Sequence, residues 1–108
     1  MKILNLTLKK KWYDMILSGE KKEEYREFKQ YWINRLTIDK SYCQMGDSGY
    51  VINKKHFDAI KFTNGYAKNA PSFLIECKGI EIGKAKSEWS DNWQGDVFVI
   101  KLGNIINK

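Results

Sequence analysis

"LTLKKKWYDMILSGEKKEEYRE", residues 6 to 27, changes its hydrophobic period within a few positions, and that change decides how the chain is read. Upstream, "ILNLTL" sets Leu4, Leu6 and Leu8 at period two, which predicts a half-buried strand over about residues 3–8. Trp12, Met15 and Ile16 then fall at i, i+3 and i+4, the apolar face of a helix over about residues 10–18. Gly19 stands where such a helix stops, because glycine adopts the left-handed conformation of a C-terminal cap without a steric cost. "KKEEYREF" carries no helical stripe and follows that stop, so it reads as a polar strand returning across the domain.

Working outward, "FKQYWINRL" spaces Phe28, Tyr31, Trp32 and Leu36 for a second short helix. Residues 37–56 hold "GDSG" and little periodicity, which marks a loop or an irregular hairpin. "FDAIKFTNG" turns Ile60 and Phe62 inward and ends on Asn64-Gly65, a strong turn signal. In "SFLIECKGIEIG", Phe73, Ile75 and Cys77 share one parity while Ile80 and Ile82 share the other. Gly79 sits at the switch, where a bulge would restore the inward set. "DVFVIKLGNII" closes the series with Phe98, Ile100 and Leu102 on one face. The implied class is α+β: a small mixed β-barrel of about five or six strands with two helices from the first half covering it.

A chain of 108 residues is enough for one domain with a modest core and too short for two. It contains no run of about 18 apolar residues and no charged-then-apolar leader, so a cytoplasmic protein with no membrane partner is expected. Cys43 and Cys77 form no C-x-x-C pair, and His56 is the single histidine. A zinc site is therefore not expected, nor any cofactor, and both cysteines read as small buried hydrophobes in a reducing compartment. His56 has no Ser, Cys or Asp partner evident in the sequence and is given no catalytic role.

The net charge of +6 is unevenly placed. Residues 1–55 hold 12 Lys and Arg against 7 acids, and residues 56–108 hold 7 against 6. A basic surface concentrated in one half attracts polyanions, which makes phosphate-bearing partners the first to consider. Lys9, Lys10 and Lys11 also open the first helix with positive charge against its dipole, as a functional basic patch or a solvated helix end.

Gly19, Lys21, Glu24 and Arg26 fit the spacing G-x-K-x-x-E-x-R, and here the chain resembles the ASCH domain of the PUA-like superfamily. The resemblance extends from residues 6–27 to "FDAIKFTNGYAKNAPSFLIECKGIEIG" and "DVFVIKLGNII"; residues 37–56 and 84–95 match least. It implies a PUA-like β-barrel with a cleft beside the motif, and binding of RNA or a nucleotide-like ligand there. Members of the family are inferred to be RNA-binding modules, resemble ribonucleases, or hydrolyse the amide of 4-N-acetylated cytidine. In the last branch the motif lysine acts with a threonine three residues on. This chain has Glu24 at that position, a poorer group for acyl transfer.

The residues themselves support a charged site. On a strand Glu24 and Arg26 share a face, about 7 Å apart, whereas Lys21 has the opposite parity and joins them only if the turn after Gly19 or a bulge re-aims it. Arg26 suits bidentate contact with phosphate or a base edge, and Lys21 offers a point charge. If the chain is an enzyme, Lys21, Glu24 and Arg26 are the catalytic candidates, with Glu24 as general base and a cation stabilising phosphate charge. In "NGYAKNAP", Asn64 can read a base edge, Tyr66 can stack and Lys68 can meet phosphate; the alternative is a plain hairpin loop. Trp89 and Trp93, four apart, read as core or lid residues on one helical turn. A protein-interaction adaptor is a third class, and the sequence leaves oligomeric state and ligand identity open.

Overall fold

The computed structural model describes residues 1–38 and 54–108, and the backbone of residues 43–44 and 50–51. Among the described residues seven strands and two α-helices follow in the order β1 (Ile3–Leu8), α1 (Lys10–Leu17), β2 (Glu23–Glu27), α2 (Gln30–Leu36), β3 (Cys43–Gln44), β4 (Tyr50–Val51), β5 (Ala59–Asn64), β6 (Ser72–Gly83) and β7 (Val97–Asn107). Five of the strands make one curled sheet in the order β1-β5-β6-β7-β2, with β1 parallel to β5 and the other pairs antiparallel. The two others, β3 and β4, pair as a short antiparallel hairpin inside the stretch read as irregular. The remainder of residues 39–53 lies outside the described residues.

The sheet is a half-barrel, and its two ends are β1 and β2. Instead of a backbone ladder between them, a side chain crosses the gap: Arg26 Nη2 on β2 donates to the Thr7 carbonyl on β1 at 3.1 Å. Alternation drives the curl. Leu4, Leu6 and Leu8 of β1, Ile60 and Phe62 of β5, Phe73 and Ile75 of β6, and Phe98, Ile100 and Leu102 of β7 all face one core and are at most 6% exposed. On β6 the register against β7 shifts between Ile75 and Gly79, and Gly79 takes φ 133°, so Ile80 returns to the inside after the parity change.

α1 lies between the two edge strands in sequence and packs Trp12, Tyr13 and Ile16 into the core. Tyr13, rather than Met15, is the third buried residue, held edge-on to Phe73 at 5.0 Å. Gly19, at φ 88°, ends the helix: its N–H donates to Ile16 O, and the Lys21 N–H returns to Met15 O. α2 buries Ile33 and Leu36 and leaves Tyr31 57% exposed. Its apolar face is thus rotated from the one the spacing predicts. Among the described residues no helix is long and apolar enough to cross a membrane.

A second, smaller core lies on the outer face of the sheet, where Tyr25, Val97 and Val99 pack against Ala85, Trp89 and Trp93. The segment between β6 and β7 therefore folds over the sheet as a cover. Only Ser87–Trp89 is helical, a single 3-10 turn, so the two tryptophans share the cover without sharing a helix.

Candidate functional site

A half-barrel leaves a seam where its edges approach, and a cleft of about 420 Å³ opens there. Thr7 and Leu8 of β1 form one bank, and Glu24, Tyr25 and Arg26 of β2 form the other. Trp12 of α1, Tyr66 of the turn after β5, and Trp89 and Trp93 of the cover complete an aromatic wall. Lys9 and Asp91 face each other at the mouth, Nζ to Oδ2 3.9 Å, both well exposed.

The motif is organised around Glu24. Its Oε1 accepts from Lys21 Nζ at 2.8 Å and its Oε2 from Arg26 Nη2 at 2.8 Å. Glu24 and Arg26 lie on the inner face of β2 opposite Ile100 and Phe98, which explains why a charged strand is buried here. Lys21 precedes β2, and the capping turn at Gly19, not a bulge, brings it back. It is 1% exposed, its Nζ also donates to the Glu23 carbonyl, and the ammonium lies 4.9 Å from the Tyr25 ring and 5.5 Å from the Trp12 ring. Burial holds the Lys21 ammonium below the ordinary lysine range, with Glu24 opposing that shift.

Arg26 reaches furthest toward solvent of the three, its side chain 18% exposed. The guanidinium lies 5.0 Å from the Trp32 ring, and Nη2 is shared between Glu24 and Thr7. Its Nε is shielded and has no acceptor among the described residues, a buried donor left unmade at a cost on the order of 1–3 kcal/mol. Two cations share one carboxylate, so the cluster is a net positive charge in low dielectric. That makes a ready electrostatic partner for an anion entering the cleft.

The seven residues singled out in the sequence divide as follows. Glu24, Arg26 and Tyr66 line the cleft. Lys21 lies behind Glu24, and with Gly19 it borders a separate, smaller hollow of about 210 Å³ beside α1. Asn64 ends β5 beside Leu8, its N–H bonded to Pro71 O; Lys68 is fully outside the cleft at the far end of the turn. The cleft also takes Trp12, Tyr25, Trp89 and Trp93, of which the sequence reading named Trp89 and Trp93 as core or lid residues. A usable signal was present: Trp12 precedes the motif on the adjoining helix, and Tyr25 lies within it between Glu24 and Arg26.

On the outer face of β2 a second network ties the cover down. Tyr25 Oη donates to Glu23 Oε1 at 2.6 Å and accepts from the Lys86 N–H at 3.2 Å, and Lys101 Nζ reaches Glu23 Oε2 at 2.5 Å. Burial alone would raise the Glu23 carboxyl, but hydrogen bonds from Lys101 and Tyr25 outweigh it and hold the group below the usual carboxylate range. Burial and the Glu23 bond together push the Tyr25 phenol well up. His56 pairs with Asp58 at 3.1 Å in an exposed position away from the cleft. Cys77 is free and half-buried, which pushes its thiol up; the Cys43 side chain lies outside the described residues. Among the described residues no three His, Cys, Asp or Glu gather as a metal-holding group.

Compared with known proteins, the chain matches no family model, no curated protein and no solved structure.

Proposed function

We propose that the chain is a PUA-like domain of the ASCH type that binds RNA or a nucleotide-like ligand in the seam cleft beside Gly19, Lys21, Glu24 and Arg26. One observation carries this reading: a guanidinium held in place by Glu24 and Thr7 O stands on the bank of an aromatic-lined cleft, over a buried cluster with one uncompensated positive charge. A planar cation fixed beside aromatic faces suits a phosphate with an unpaired base next to it. The concentration of basic residues in the first half adds long-range attraction for such a ligand.

A binding role fits this geometry better than hydrolysis. The Lys21 side chain has no access to the cleft. Glu24 would have to take up a proton on an oxygen that already accepts from a cation, which favours a positioning role over general-base work.

The test is titration of single-stranded RNA at low ionic strength. Affinity falls steeply with added salt, and Arg26→Ala weakens binding by on the order of 1–3 kcal/mol. The wild type leaves RNA uncut over hours and releases no acetate from 4-N-acetylated cytidine. Absence of any binding at low salt overturns the reading. Robust deacetylation lost on Lys21→Ala replaces it with the hydrolase.

A further inference from the structure

Arg26 borders two hollows. The second, of about 440 Å³, lies on the α2 side of the seam and shares Thr7, Arg26 and Tyr66 with the cleft. Its remaining wall is built by β1 and by Lys29, Tyr31, Trp32 and Arg35 in and beside α2. Arg26 and Tyr66 therefore form a saddle between two adjoining depressions, each large enough for a small ligand.

The chemistry of the second hollow repeats that of the first. Arg35 Nη2 donates to Asn5 O at 3.2 Å, and its guanidinium lies 5.2 Å from the Trp32 ring and 5.9 Å from the Tyr31 ring. Trp32 thus has Arg26 at 5.0 Å and Arg35 at 5.2 Å, an aromatic ring attended by two guanidinium groups. No carboxylate among the described residues pairs with Arg35. Lys29 meets Glu27 at 3.6 Å, but both are more than half exposed, and such a pair is weak and screened. Tyr66 at 93% and Tyr31 at 57% are the exposed large aromatic side chains among the described residues, and both stand on this hollow.

Arg35 has no carboxylate partner among the described residues and Arg26 shares its carboxylate with Lys21; exposed rings beside such guanidinium groups are how single strands are held, with bases stacked and phosphates met by cations. A duplex conceals the base faces that Tyr31 and Tyr66 would contact. We infer that the ligand is a single-stranded RNA of at least two nucleotides, one in the cleft and its neighbour in the α2 hollow, with the linking phosphodiester crossing the Arg26 saddle toward Arg35. This deepens the binding function proposed above and rests on it.

Binding of the full chain is measured to four probes at low salt: a mixture of the four ribonucleoside 5′-monophosphates, a randomised single-stranded RNA tetramer, the same tetramer sequence as part of a duplex, and a poly-glutamate peptide. The tetramer binds at least about 10-fold tighter than the monophosphates. Tyr31→Ala and Arg35→Ala each weaken the tetramer by about 5- to 100-fold, the loss expected of a stacked base or its cation, and leave the monophosphates within about 2-fold. Arg26→Ala weakens both ligands. Tyr31 is exposed, so its variant keeps the fold even if Arg35→Ala does not.

If the tetramer gains nothing over the monophosphates, or Tyr31→Ala binds the tetramer like wild type, the α2 hollow is not part of the site while the cleft reading stands. If neither ligand binds, both fall. Duplex binding equal to the single strand, or poly-glutamate binding as tight as the tetramer, also overturns the inference, the latter assigning the hollow to an acidic protein surface.

Discussion

The two faces of β2 carry two charge networks that differ in what they connect. Inside, Lys21 and Glu24 are buried and Arg26 is partly so; the three carry more cation than anion and end at the cleft. Outside, Glu23 is balanced by Lys101, which is 39% exposed, and the chain of bonds runs through Tyr25 to the backbone of the cover. Burying unequal charge costs desolvation that the mutual attraction does not fully return. A balanced pair at the edge of solvent costs far less. The inner network therefore costs stability, which the proposed binding role accounts for, and the outer one fastens the cover.

The largest effect expected from that contrast is at Lys21. Lys21→Met leaves Glu24 paired with Arg26 alone and takes the donor from Glu24 Oε1 and from the Glu23 carbonyl, a loss of about 1–3 kcal/mol for each buried acceptor left unmade. Out of a total stability on the order of 5–15 kcal/mol, that is a large share, and thermal melting reads it directly. The triple variant Lys21→Met, Glu24→Leu, Arg26→Met removes all the charge at once. It melts within a few degrees of wild type or above it, because a well-packed apolar replacement avoids the desolvation cost, yet it no longer binds RNA. A triple variant as unstable as the single one would mean that the inner network serves stability, and the contrast would fail.

How much of this was readable in the sequence follows from the range of each interaction. The elements from residue 3 to residue 36 and the three long strands show in local periodicity, since a strand or helix face repeats within a few residues. The bulge at Gly79 shows because parity changes around it. The seam does not show, because it depends on β1 pairing with β5 and β2 with β7, partners far away in the chain. Lys21 behind Glu24 follows from the turn at Gly19, and a lysine is ordinarily a surface residue, so nothing local announced its burial. At α2, Tyr31 was read into the apolar stripe because it fits the spacing. Ile33 and Leu36 are the buried pair, and the displaced tyrosine faces out beside Arg35. An aromatic pair followed by an arginine three and four residues on was the available cue.

The outer network gives an intermediate effect with a definite pH dependence. The Glu23 carboxyl titrates below its ordinary value of 4.5, so the folded state binds fewer protons than the unfolded one around that pH. Its contribution is present above 4.5 and is lost as pH falls through the lower folded-state value. Glu23→Gln removes it at every pH. The variant is less stable than wild type by about 1.5 kcal/mol at neutral pH, the scale of a hydrogen bond to a charged group, and the two melting curves converge as pH falls below 4.5. RNA affinity changes little, because Glu23 itself does not line the cleft. A gap that stays constant as pH falls well below 4.5 would remove the charged bond as its origin, and a large loss of affinity would break the division between the two networks.

The smallest effect separates the two ways the cover could be held over the cleft. Lys9 and Asp91 meet across its mouth at 3.9 Å, both exposed, and such a pair is worth little once water screens it. If Tyr25, Glu23 and the packing of Trp89 and Trp93 fasten the cover, Asp91→Asn shifts the melting temperature by less than about 2 °C. The same substitution takes a negative charge from the entrance of a cleft proposed to admit an anion. It should therefore raise RNA affinity by about 2-fold at low salt, and the gain should vanish near physiological ionic strength, where the screening length falls to about 8 Å. A fall in melting temperature of more than about 5 °C would place the fastening at the rim pair instead of at Tyr25. A loss of affinity that persists in salt would mean that Asp91 contacts the ligand as an acceptor rather than repelling it.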